Sequence, residues 1–82
     1  MKDHELDKKI GFELRSQRLL KRMSLEEVAE RMGVSSRNTI SYLELGKKSI
    51  EVEELIRYCE IVGCDWIHIM QTATGENEKS GC

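Results

Sequence analysis

Between Ser24 and Gly46 the chain reads SLEEVAERMGVSSRNTISYLELG, in which a glycine separates two helix patterns. Ser24, followed three residues later by Glu27, forms a capping-box pattern that predicts the start of a helix. Gly33 predicts the end of that helix, because the left-handed conformation that closes a helix is nearly free of strain only for glycine. The segment therefore predicts two short helices joined by a tight turn.

The second helix of this pair presents a polar face. Ser35 or Ser36 can cap it, Ile40 and Leu43 mark its inward side, and Gly46 ends it. The outward positions carry Arg37, Asn38, Ser41 and Tyr42. Arginine can pair with guanine and asparagine with adenine in the major groove of DNA, so these side chains suit base reading. A polar face without any DNA function is the alternative interpretation.

Three more helices are predicted around this pair. The first runs from about Asp3 or His4 to Lys21, with a stripe of Leu6, Ile10, Leu14 and Gln17 or Arg18 that Leu19 and Leu20 widen. The fourth runs from about Glu51 to Val62, with a buried side of Val52, Leu55, Ile56, Cys59 and Val62. The fifth follows Asp65 as its cap and runs from Trp66 to about Thr72. We expect one all-α domain over residues 1–72 and a disordered polar tail over residues 73–82.

Charge is distributed unevenly along the chain. The net charge of −2 argues mildly against a partner as acidic as DNA. However, the cations cluster in two places, at Arg15, Arg18, Lys21 and Arg22 and again at Arg37, Lys47 and Lys48. This clustering fits one basic face on an acidic body, although a mixed solvated surface explains the charges equally well.

The sequence gives little support for a membrane protein, a zinc-binding protein or an enzyme. The apolar runs are too short for a membrane span and the N-terminus is charged, so we expect a cytoplasmic location. Cys59, Cys64 and His68 lack the paired spacing of zinc sites, and the three cysteines of the chain suit reduced thiols. With no nucleophile and base pattern and no glycine-rich phosphate loop, we expect neither an enzyme nor a cofactor.

Five pieces of the sequence, taken together, resemble the phage repressor/Cro-type helix-turn-helix family, also called the Xre family. In order they are IGFELRSQR, SLEEVAERMGVS, TISYLELGKK, EELIRYCEIVG and CDWIHIM, and they lie within residues 10 to 70. The resemblance implies a five-helix lambda-repressor-like bundle that binds double-stranded DNA.

The resemblance also assigns roles to residues. It places the base contacts on Arg37, Asn38, Ser41 and Tyr42. It places the phosphate contacts on Ser24, Ser36, Lys47, Lys48 and Arg18. It further implies a buried ion pair between Arg18 and Glu44.

Two departures from the family pattern affect this assignment. Leu25 stands where the family usually carries a glutamine that touches the DNA backbone, and the span from Gly33 to Ile40 is one residue longer than usual. Alignment on Ile40 makes Ser36 the cap of the second motif helix. Alignment on Ser35 would shift the predicted contacts by one residue.

The fifth helix is apolar on nearly all sides, and a small domain has little with which to cover it. We expect a homodimer interface at Trp66, Ile67, Ile69 and Met70, the alternative being an ordinary intramolecular core. The predicted function is a sequence-specific repressor that binds an operator as a homodimer. The alternatives are an antitoxin-type regulator that also binds a toxin, and a protein-interaction module that has lost DNA binding. The candidate protein partners are a toxin or an antirepressor.

Overall fold

The computed structural model describes residues 5–75 of the 82-residue chain. Its helices are α1 (Glu5–Leu20), α2 (Leu25–Met32), α3 (Arg37–Leu45), α4 (Val52–Val62) and α5 (Trp66–Thr74). The predicted all-α fold of five helices is confirmed. The last helix continues to Thr74, two residues beyond its predicted end and into the segment predicted as tail. The predicted start of the first helix at Asp3 or His4 and the rest of the predicted tail, residues 76–82, lie outside the described residues.

Local hydrogen bonds explain where the helices begin. The Ser24 hydroxyl accepts from the Glu27 N–H at 3.0 Å, and the Asp65 carboxylate accepts from the Ile67 N–H at 3.0 Å. The Ser36 hydroxyl accepts from the Asn38 N–H at 3.1 Å, which confirms Ser36, and not Ser35, as the cap of α3. Each such cap satisfies a backbone donor that has no partner within its own helix.

Helices α1 and α3 approach each other closely enough to require glycine at two positions. A Cβ atom on Gly11 of α1 would lie only 2.3 Å from the Glu44 carbonyl oxygen of α3. At the end of α3, a Cβ atom on Gly46 would lie 2.7 Å from the Cα atom of Lys8, and Gly46 has a φ of +74°. These backbone contacts fix the position of α3 against α1.

The core lies between the helices and combines small and large apolar side chains. Its fully buried members include Leu14 of α1, Val28 of α2, Ile40 and Leu43 of α3, and Tyr58 and Cys59 of α4. Tyr58 was absent from the buried side predicted for α4. None of the helices within residues 5–75 has both the length and the apolar character to cross a membrane.

Four residues predicted to be buried are exposed: Leu6, Leu19, Leu20 and Val52. On α1 the inward stripe is Ile10, Leu14 and Arg18, which repeat every four residues. Leu19 follows Arg18 by one residue and is therefore rotated about 100° away from that stripe. Leu20 is 71% exposed, so the predicted widening of the stripe is wrong.

Candidate nucleic-acid interface

Helix α3 has one face fixed in the core and the opposite face open. Ile40, Leu43 and Glu44 are buried. On the open face, Arg37, Asn38 and Tyr42 are exposed, and Ser41 is half-buried between them. The predicted base-reading residues therefore share one surface, which the buried face holds rigidly.

A side-chain contact joins the first turns of α2 and α3. It is an ion pair between Glu26, in the first turn of α2, and Arg37, the first residue of α3, with 2.7 Å between Oε2 and Nη1. Backbone N–H groups in the first turn of a helix lack carbonyl partners and attract anions. Ser24 and Ser36 cap these two turns by accepting from backbone N–H groups, and each hydroxyl keeps its own hydrogen for donation.

The two lysines after α3 differ in their surroundings. Lys47 is exposed, and its Nζ atom lies 5.9 Å from the centroid of the Tyr42 ring, an arrangement typical of a cation–π contact. Lys48 lies 3.4 Å from a carboxylate oxygen of Glu54 in α4. Lys47 is thus continuous with the open face of α3, whereas Lys48 points toward an acidic neighbour.

Arg18 has a structural position that excludes one of its predicted roles. Its guanidinium donates to both carboxylate oxygens of Glu44, and its Nη1 atom donates to the Met23 carbonyl oxygen at 2.8 Å. Arg18 and Glu44 are both buried, so the ion pair implied by the resemblance is confirmed. The phosphate contact predicted for Arg18 is wrong, because a buried guanidinium with these partners cannot reach DNA.

Tyr58 completes this buried group. Its hydroxyl donates to the Glu44 carboxylate and lies 3.4 Å from the Leu14 carbonyl oxygen. Burial, together with the hydrogen bond to Glu44, raises the pKa of the Tyr58 phenol well above its ordinary value. The pKa of Arg18 is raised chiefly by its hydrogen bonds to Glu44. The group therefore consists of a cation, a carboxylate and a neutral phenol.

The sequence analysis did not identify two residues that make contacts in this region. Glu26 touches Arg37 across the helix pair, and Tyr58 anchors Glu44 from α4. The usable signal for Glu26 was its opposite charge to Arg37, since each residue follows the cap of its helix within two positions. Nothing local marked Tyr58 as a partner of Glu44, which is 14 residues away.

The residues of α5 that were predicted to form a dimer interface differ in burial. Ile69 is fully buried within its own chain, so its assignment to an interface between subunits is wrong. Trp66 and Ile67 are exposed, and Met70 packs partly against the core. A shallow surface groove is lined by Trp66, Ile67, Met70, Gln71 and Thr74.

Cys59 and Cys64 are free thiols at the junction of α4 and α5. Cys59 is buried, and burial raises the pKa of its thiol. Within residues 5–75 no three histidine, cysteine or acidic side chains are grouped so that they could hold a metal ion.

Comparisons with known proteins agree with this geometry. A family model described as helix-turn-helix matches residues 14–68, which include α2, α3 and the turn between them. The crystal structure of the clp gene regulator ClgR from C. glutamicum is similar, with 34% sequence identity and a TM-score of 0.79 over 87% of this chain and 91% of that chain. No curated protein sequence matches the chain significantly. The chain therefore belongs to the Xre-like helix-turn-helix family of DNA-binding transcriptional regulators.

Proposed function

We propose that this protein is a repressor that binds a double-stranded DNA operator as a homodimer and reads it with α3. The observation that carries the proposal is the division of α3 into a buried face and an open face. The open face presents Arg37, Asn38 and Tyr42 together, with Lys47 beside Tyr42. The similar structure of ClgR, a clp gene regulator, supports a role in gene regulation.

Base reading is assigned to the open face of α3. The Arg37 guanidinium suits the N7 and O6 acceptors of guanine, and the Asn38 amide suits N6 and N7 of adenine. Ser41 and Tyr42 each offer a hydroxyl to a base edge or a phosphate. A well-formed bidentate contact discriminates between bases by about 1–3 kcal/mol, so two such contacts suffice for a clear preference.

Phosphate binding is assigned to the borders of this face. The N–H groups and serine hydroxyls at the starts of α2 and α3 suit one phosphate each, and Lys47 suits another. Lys48 reaches a phosphate only by leaving Glu54. Leu25, which replaces a polar residue usual in the family, contributes no hydrogen bond, so affinity rests more heavily on the remaining contacts.

Dimer formation is assigned to the exposed part of α5. Trp66 and Ile67 are large apolar side chains in contact with solvent beside the groove that Met70 also lines. Burial of such side chains against a second copy is favourable by about 25 cal/mol per Å² of apolar surface. A two-fold axis would place two α3 helices on half-sites about 34 Å apart along the DNA.

The test is selection of bound sequences from a randomised duplex pool. The Arg37→Ala/Asn38→Ala double variant serves as the control and is run at the same salt concentration. We expect the wild-type chain to enrich an inverted repeat and the double variant to lose that enrichment. Weak binding without enrichment would contradict the proposal.

Repression itself needs a separate measurement. We expect transcription in vitro from a promoter that overlaps the selected repeat to fall as the protein is added. Transcription from the same promoter with a scrambled repeat is the control. An increase in transcript would contradict repression while leaving sequence-specific binding intact.

A protein partner, such as the toxin of an antitoxin-type regulator, is the second candidate, and one observation favours it. Phe12, Leu19 and Leu20 are exposed on α1 although they are large and apolar. Apolar side chains that share an exposed helix face are typical of protein contacts. Binding at such a surface would persist as salt rises, whereas DNA binding would weaken steeply.

A further inference from the structure

The ion pair between Glu26 and Arg37 lies at the surface assigned to DNA. Oε2 of Glu26 is 2.7 Å from Nη1 of Arg37, and the two side chains remain 63% and 58% exposed. The pair joins α2 to α3 across the turn, so it involves two elements of the motif. A carboxylate at this place is unexpected, because the DNA backbone is itself negatively charged.

The helix termini explain why Glu26 stays beside Arg37. Arg37 is the first residue of α3, where the positive end of the helix dipole disfavours a cation. Glu26 lies in the first turn of α2, where the dipole favours an anion. Glu26 thus supplies a negative charge that offsets the unfavourable position of Arg37 at its helix terminus.

The guanidinium of Arg37 can serve Glu26 and a base at the same time. Arginine carries five N–H donors in a rigid plane, and the contact with Glu26 uses a single donor on Nη1. Nε and Nη2 keep their hydrogens, so one edge of the plane is still available for the two acceptors of guanine. A guanidinium fixed at one corner has fewer orientations to lose when it binds.

We propose that Glu26 is a positioning residue that determines base specificity by fixing the orientation of Arg37. The proposal rests on the function proposed above, in which Arg37 reads a base. Glu26 touches no base in this arrangement and acts through the arginine.

The experiment measures relative affinities for the four base pairs at the position where Arg37→Ala abolishes discrimination. We expect Glu26→Ala to lower the preference there by about two- to fivefold, the range that an exposed ion pair supports. Glu30→Ala is the matched control, since it removes one negative charge from an exposed position on the same helix. We expect Glu30→Ala to leave the preference unchanged.

Two further variants separate orientation from charge. Glu26→Gln keeps an acceptor oxygen for Arg37 without the charge. The base-pair preference of this variant should therefore fall between those of the wild type and Glu26→Ala. In the Arg37→Ala background, Glu26→Ala should change nothing at this base pair. Equal profiles for Glu26→Ala and Glu30→Ala, or an effect of Glu26→Ala that persists without Arg37, would overturn the proposal. A wild-type chain that prefers no sequence would instead overturn the proposed function, and this inference with it.

Discussion

The guanidinium of Arg18 and the carboxylate of Glu44 form a two-point ion pair, with Nε 2.7 Å from Oε2 and Nη2 3.1 Å from Oε1. The side chains are only 9% and 4% exposed. The pair joins the last turn of α1 to the last turn of α3. Helix α3, to which we assign base reading, is therefore anchored to α1 by a buried ion pair as well as by apolar packing.

Removal of Arg18 should destabilise the fold strongly. We expect Arg18→Ala to lower the free energy of unfolding by about 3–5 kcal/mol, because Glu44 is left as a buried charge without its cation. Arg15→Ala, at an exposed position on the same helix, should change it by less than about 0.5 kcal/mol. Urea unfolding at pH 7 measures both values. Similar small losses for the two variants would contradict the structural role of Arg18.

A methyl group at Gly11 should separate α1 from α3. We expect Gly11→Ala to cost about 3 kcal/mol, because its Cβ atom would overlap backbone atoms that cannot move independently. Gly33→Ala is the comparison, since no atom lies within 4 Å of its Cβ position and only the φ of +77° is unfavourable. Its cost should be about 1–2 kcal/mol. If thermal unfolding shows Gly33→Ala to be the more damaging change, the close approach of the helices is not limiting.

Stability should decline at alkaline pH. Burial raises the pKa values of the Cys59 thiol and the Tyr58 phenol in the folded chain. Their stabilising contributions are complete below the unfolded pKa values of about 8.5 and 10. Above these values the unfolded chain releases protons that the folded chain retains, so the free energy of unfolding falls.

Two variants separate these contributions in urea unfolding measured between pH 7 and pH 11. Cys59→Ala should flatten the decline that begins near pH 8.5. Tyr58→Phe should flatten the decline above about pH 10, from a lower starting stability because its hydrogen bond to Glu44 is lost. An unchanged slope in both variants would show that other groups control the alkaline loss.

Arg37 and Lys47 should differ in how they affect DNA binding. Arg37→Ala should relax the preference at one base pair of the selected repeat, because it removes a base contact. Lys47→Ala should weaken binding to all sequences alike and reduce the slope of log affinity against log salt by about one unit. Fluorescence anisotropy over a salt series measures both effects. Equal losses of specificity in the two variants would contradict the assigned roles.

Substitutions of Ile67 and Ile69, which are two residues apart in α5, should affect self-association and stability respectively. Ile67 is exposed and Ile69 is fully buried. Ile67→Glu should weaken self-association in sedimentation equilibrium while leaving the fold intact. Ile69→Ala should lower the free energy of unfolding by about 2–5 kcal/mol. Val52→Glu is the control for an exposed apolar residue outside α5, and a comparable effect of this control on self-association would place the interface elsewhere.

Most starts and ends of the helices were predictable because their causes are local, although the end of α5 at Thr74 was predicted two residues too early. Ser24, Ser36 and Asp65 accept hydrogen bonds from backbone groups two or three residues away, and Gly33 and Gly46 adopt left-handed conformations directly after a helix. The polar face of α3 followed from the same local pattern. A hydrogen bond within one turn is decided chiefly by residues that are close in the sequence.

Local patterns of residues thus predicted the five helices, their order and the side chains on the open face of α3. The packing of the helices decided that Arg18 faces Glu44 rather than DNA, that Ile69 lies inside its own chain while Ile67 does not, and that Glu26 meets Arg37. The partners Arg18 and Glu44 are 26 residues apart, and Glu26 and Arg37 are 11 apart. Contacts over such separations depend on the angles and distances at which helices pack, and no local pattern of residues records these quantities.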